Sequence, residues 1–272
     1  MHGTLTSVKF DLQINPGVAS WDVIRDAALA AEHAGFDALW TMDHLKGSVM
    51  SAPDMPECFS LLGALAAATS RIALGPLVVN VGNRHPAVLA NAAATVQSIS
   101  GGRLLLGLGA GGGPKSATAI EREAVGIATP ATVAERHRRL ENTLDVLDEM
   151  WRPDRDDRFA TFPLPHPIPP IVLGVNGEQL ARIAGRRTQG VNIRGTNPLA
   201  RSVIEAALAA HHDSGSTDEF HATVWDFYDE SLLRPGDPRV AEWASWGVTR
   251  VILIMFQEID PARIARTPPP HS

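Results

Sequence analysis

Only one cysteine, Cys58, occurs among the 272 residues, which excludes an internal disulfide and suits a reducing compartment. No apolar run reaches the roughly 18 residues that span a bilayer, so no membrane partner is expected. The amino terminus lacks the basic start, apolar core and small-residue cleavage site of a secretion signal, and a cytoplasmic location is expected. Positive charge is not in excess. With 24 Lys and Arg against 30 Asp and Glu the formal net charge is −6, which argues against a nucleic-acid partner. The ten histidines are scattered, and the adjacent His211 and His212 would point about 100° apart on a helix, so no metal centre is expected.

What is present is a regular alternation. Apolar runs of strand length begin near Val8, Asp37, Ile72, Leu104, Pro170, Gly190, His221 and Thr249. Stretches of helical period separate them. The first starts at Ser20, a candidate N-cap, and stops at Gly35; another starts at Pro86, which suits a first helical turn. Cys58 falls near a helix start and His85 just before one, where each is read as packing or shaping a turn. Near-continuous apolar strands imply a parallel sheet covered on its outer face. Eight βα units at this length predict a single (β/α)8 TIM barrel over residues 1–266, with 267–272 a disordered tail. A doubly wound open sheet is the alternative. The proline-rich stretch Arg152 to Pro169 is too short for much of an insertion domain.

In a barrel of this kind the site lies at the carboxyl ends of the strands. Five glycines (107, 109, 111, 112 and 113) crowd the end of the fourth strand, and Leu173-Gly-Val-Asn-Gly-Glu-Gln179 forms a second loop between strand and helix. Glycine leaves backbone amides open to an anion, and two such loops point to a large phosphorylated cofactor. Asp43-His44 follows the second strand. Adjacent residues leaving a strand diverge, so one is expected to grip ligand while the other faces the reacting atom; a structural histidine is the alternative. Lys46, Arg84, Lys115 and Arg194 would form a cationic rim.

Several segments together resemble the luciferase-like monooxygenase superfamily, in particular its branch dependent on the deazaflavin coenzyme F420. They are Gly35-Phe-Asp-Ala-Leu-Trp-Thr-Met-Asp-His44, Thr69-Ser-Arg-Ile-Ala-Leu-Gly75, Pro86-Ala-Val-Leu-Ala90, Gly102-Arg-Leu-Leu-Leu-Gly-Leu-Gly-Ala-Gly111 and Pro169-Pro-Ile-Val-Leu-Gly174. The resemblance implies a bacterial-luciferase-like barrel, often a homodimer, that passes hydride between the cofactor and a small-molecule substrate. It implies His44 as the catalytic histidine, Asp43 as a cofactor-gripping acid, a non-proline cis peptide at Leu77-Val78, and Asn80 against the ring. It further implies Gly109, Ala110, Gly111, Gly112 and Lys115 around the cofactor after strand four. Gly174, Val175, Asn176, Gly177, Gln179 and Leu180 would surround the phosphate after strand five.

Departures from the family pattern bear on substrate. Where sugar-phosphate dehydrogenases of this branch carry an acid, a tryptophan and a lysine, this chain has Gly112, Ser48 and Asn197. Sugar phosphate is therefore not the expected substrate. The expected activity is F420-dependent hydride transfer to or from an unidentified organic molecule. The alternatives are a monooxygenase using reduced FMN and O2, and a catalytically silent flavin-binding protein.

Overall fold

The computed structural model describes residues 8–270. In chain order the elements are β1 (Lys9–Ile14), α1 (Trp21–Ala34), β2 (Ala38–Thr41), α2 (Cys58–Ala68), β3 (Ala73–Pro76), β4 (Val79–Asn80), α3 (Pro86–Ile99), β5 (Leu106–Gly109) and α4 (Ala119–Ala124). They continue with α5 (Val133–Trp151), β6 (Ile171–Gly174), α6 (Glu178–Arg187), β7 (Gly190–Arg194), α7 (Ala200–Asp213), β8 (His221–Phe227), α8 (Pro238–Ser245), β9 (Arg250–Met255) and α9 (Pro261–Arg266).

All strands pair in parallel, in the order β3-β2-β1-β9-β8-β7-β6-β5-β4. The two ends of that order are one stave, interrupted at Leu77-Val78, where the peptide is cis. Closure comes from Leu74, whose amide donates to the Arg103 carbonyl at 3.0 Å and whose carbonyl accepts from the Leu105 amide at 2.8 Å. The result is a closed (β/α)8 barrel of eight staves rather than an open sheet.

Local sequence explains the element ends. Gly35 takes the left-handed conformation (φ 91°) that stops α1. Thr132 and Glu135 form a reciprocal capping box that starts α5. His85 accepts the Ala87 amide on Nδ1, so it shapes the start of α3. Cys58 is buried, and burial pushes its thiol up, which keeps it unreactive.

Two apolar layers result. The larger lies between the outward faces of the strands and the helices, with Leu12, Leu39, Leu74, Leu108 and Leu173 meeting α1, α2, α3 and α5. The smaller fills the lumen with Ala38, Trp40, Leu77, Val172 and Ile252. Trp40 fits because Gly75 faces it: a Cβ there would sit 2.8 Å from the indole ring. The stretch from Arg152 to Pro169 carries only a short helical turn at Asp157–Phe159. Of the tail expected to be disordered, the Thr267 hydroxyl pairs with that of Tyr228 and Pro269 is buried, while 271–272 lie outside the described residues. Among the described residues no helix is long and apolar enough to cross a membrane, and no group of His, Cys, Asp and Glu could hold a metal.

Candidate active site

The carboxyl ends of the strands surround a cavity of ≈ 870 Å³. Every site residue expected from the sequence lines it except Lys115, which lies exposed on the loop beyond. The sequence pattern missed Gln13 on β1, Arg136 and His137 on α5, and an aromatic wall of Trp225, Phe227 and Phe256.

His44 leaves β2 at the rim and its Nδ1 meets the Glu121 carboxylate at 3.1 and 3.2 Å. Glu121 also accepts the Leu45 amide at 2.9 Å and is almost completely buried. Burial pushes its carboxyl up, but the bonds from His44 and Leu45 outweigh that and hold it below the ordinary carboxylate range. An imidazole fixed in this way keeps Nδ1 on the carboxylate and leaves Nε2 as the nitrogen free to exchange a proton. Glu121 belongs to α4, a six-residue helix in a glycine- and alanine-rich stretch with no apolar period, so nothing in the pattern marked it.

Asp43, on the cavity wall, is also held from within the protein. Arg84 grips both of its oxygens, at 2.8 and 2.7 Å, and the Asn80 amide donates to one at 3.1 Å. The carboxylate thus ties the end of β2 to the strand and loop beside it. Burial pulls the Arg84 guanidinium down, but its bonds to Asp43 outweigh that and hold it above its ordinary value. Next to this pair the Leu77 carbonyl accepts from Gln13 Nε2 at 2.6 Å, so β1 holds the interrupted stave in place.

The two glycine loops also differ from each other. A Cβ on Gly109 would sit 2.6 Å from Val78 Cγ2, and one on Gly174 2.9 Å from Val78 Cγ1. These glycines make room for Val78, whose side chain lies over both strand ends. Gly111, with φ 74°, is crowded by Asn80 and Arg122. The loop after β6 is open: nothing stands within 4 Å of a Cβ on Gly177, and no side chain caps α6. The first-turn amides of α6 therefore face the cavity without an intrahelical partner, which suits an anion.

The cationic rim is dispersed. Arg84 is held by Asp43, Lys46 is exposed, and Arg194 stacks on Trp225 and Phe227 at 5.2 Å from each ring centroid. Ser48 and Asn197 lie off the cavity, and the Asn197 side chain accepts the Leu199 amide at 2.9 Å ahead of α7.

Residues 1–218 match the sequence profile of the family described as luciferase-like monooxygenase. The chain belongs to that family. An F420-dependent glucose-6-phosphate dehydrogenase of Nakamurella multipartita is 32% identical over 177 residues, 61% of this chain and 50% of that protein. A 5,10-methylenetetrahydromethanopterin reductase of Archaeoglobus fulgidus is 30% identical over 212 residues, 74% of this chain and 59% of that protein. This luciferase-like chain thus spans little more than half the length of those curated relatives. Its barrel is similar to that of the coenzyme F420-dependent tetrahydromethanopterin reductase of Methanopyrus kandleri, with a TM-score of 0.74 at 18% identity over 96% of this chain and 97% of the other.

Proposed function

We propose that this protein is an oxidoreductase that passes hydride between coenzyme F420 and a small organic substrate. The observation that carries the reading is the convergence in one cavity of a carboxylate-held histidine, an apolar floor and an uncapped helix terminus. Relatives whose names specify F420 dependence support the choice of cofactor.

The residues present fit such a coenzyme. A cavity of ≈ 870 Å³ is large enough for a tricyclic ring and its chain. Leu77, Val78 and Asn80 would lie against the ring, and the open turn at Gly177 to Leu180 would take the phosphate. When bound, the deazaflavin supplies or accepts hydride at C5. The protein's part is to orient the reactants, exclude water and move the proton that accompanies the hydride. Nε2 of His44 carries that proton, with Glu121 fixing the ring and compensating the charge that arises on it. Trp225, Phe227 and Phe256 offer the substrate an apolar face. Among the described residues no lysine lines the cavity, which supports a substrate other than a sugar phosphate.

Calorimetric titration of the apoprotein with F420 and with FMN tests the reading. Saturable binding of F420, with FMN bound more weakly, is the expected result. Preference for FMN accompanied by consumption of O2 would replace the dehydrogenase reading by the monooxygenase one.

A further inference from the structure

One half of the cavity differs in chemistry from the other. Staves β7, β8, β1 and β9, with the residue that follows β9, bring Asn192, Trp225, Phe227, Gln13, Ile254 and Phe256 to its wall, none of them charged. The charged and titratable lining residues, Asp43, His44, Arg136, His137 and Glu178, lie after β2, on α5 and on α6. In the strand order β8 stands four places from both β3 and β4, so the uncharged half centres opposite Leu77 and Val78.

Two polar side chains stand in this half, and their neighbours fix which way each amide turns. Gln13 is 3% and Asn192 4% exposed. Gln13 Nε2 donates to the Leu77 carbonyl at 2.6 Å, and a carbonyl can only accept, so the Gln13 nitrogen must point there. Asn192 Nδ2 meets the Thr223 hydroxyl at 2.7 Å, and that hydroxyl gives its own proton to the Val191 carbonyl at 2.9 Å. Thr223 Oγ1 therefore accepts, and Asn192 must turn its nitrogen towards it. In both residues the nitrogen is committed to the protein and the carboxamide oxygen is left over. Among the described residues nothing donates to Gln13 Oε1 or Asn192 Oδ1, and neither oxygen is sealed from the cavity that the two residues line. A buried acceptor costs free energy unless a donor reaches it. Acceptor oxygens repel the oxygens of a carboxylate or phosphate, so a ligand that satisfies these two brings O–H or N–H groups and no negative charge. Trp225, Phe227 and Phe256 beside them suit a flat apolar face on the same ligand.

We propose that Gln13 and Asn192 determine substrate specificity, their carboxamide oxygens receiving two donor groups, hydroxyl or N–H, of a neutral substrate with a flat apolar face. That this ligand is the substrate rests on the proposed function, which sets the coenzyme against Leu77, Val78 and Asn80. The coenzyme's own N–H and hydroxyl groups are the other source of donors.

The test uses Gln13→Met and Asn192→Leu, which roughly keep side-chain size and remove the acceptor, and three probes: a naphthalenediol, its dimethyl ether and the matching naphthalene dicarboxylate. Dissociation constants are measured by calorimetry on the protein with and without F420. The parent is expected to bind the diol tighter than the ether and the dicarboxylate by about tenfold or more. In each variant the diol is expected to fall to the level of the ether, whose own affinity holds. Equal binding of diol and ether by the parent overturns the proposal. So does tighter binding of the dicarboxylate, an absence of diol binding, or a diol preference that survives in both variants. Variants that weaken F420 while keeping the diol preference would assign the acceptors to the coenzyme, and likewise overturn it. Should a variant fail to fold, the three probes on the parent decide. Failure of the parent to bind F420 defeats the proposed function, while the probe series without coenzyme still decides the role of the two acceptors.

Discussion

His44 and Glu121 are 77 residues apart in sequence and 3.1 Å apart in space. Their separate contributions can be read apart. Under the proposed function His44→Ala removes the proton carrier, so turnover is expected to fall by about 10²–10⁴-fold with F420 affinity close to the parent's. Glu121→Gln keeps the shape but can no longer anchor a charged ring, so it should lower kcat in the same direction and alter its pH profile, with little effect on affinity. A large loss of affinity in His44→Ala, measured by calorimetry, would make the histidine a clamp. Of the two, only His44 was legible in the sequence, because it follows a recognisable strand at the expected end of the barrel. Glu121 was not, since an acid on a short segment with no apolar period has no visible partner until the chain folds.

Elements were legible where hydrophobic period extends over several turns or a whole strand. The long helices α1, α3, α5 and α7 and the eight staves follow from apolar spacing and cap residues, as does closure into a barrel. The short helix α4 does not, and it carries both Glu121 and Arg122. The break between β3 and β4 was legible only through family resemblance, because apolar spacing runs on unbroken from Ile72 to Val79. The glycines after the fourth stave were visible, but their purpose was not. Several face side chains of this same protein, and only tertiary structure shows which amides stay open. The tie between elements at the mouth is the Asp43–Arg84 pair, which joins the end of β2 to the loop after β4. With the Asp43 side chain 1% and the Arg84 side chain 14% exposed, the pair is nearly dry. Arg84→Met leaves a carboxylate uncompensated there, and is expected to cost about 3–5 kcal/mol in urea unfolding. Asp43→Asn in the same background should recover part of that loss.

At the scale of the whole molecule, the lumen carries a titratable group that links three neighbouring staves, β1, β2 and β9. Asp11 on β1 is completely buried, receives Trp40 Nε1 from β2 at 2.8 Å and Arg250 Nε from β9 at 3.1 Å, and leaves Oδ1 unpartnered. Burial dominates over the nearby Arg250, and the carboxyl is pushed up from 3.8 to about 6. The native state therefore keeps a proton on Asp11 at pH values where the unfolded chain has lost it. Its contribution to stability is greatest below about pH 4, declines as pH rises towards about 6, and stays low above that, a change of roughly 3 kcal/mol. Carboxylates held low in the fold, such as Glu32 with its three backbone donors, act in the opposite sense. For Glu32, stability is lost as pH falls. The parent's own profile mixes the two, so the informative quantity is the difference from Asp11→Asn. That variant takes the carboxylate from beside Arg250 and removes the titration. The difference in urea-unfolding free energy between parent and Asp11→Asn should change between pH 4 and 6 and be level from 6 to 8. A difference independent of pH over the lower interval would mean that Arg250 keeps Asp11 ionised in the closed barrel.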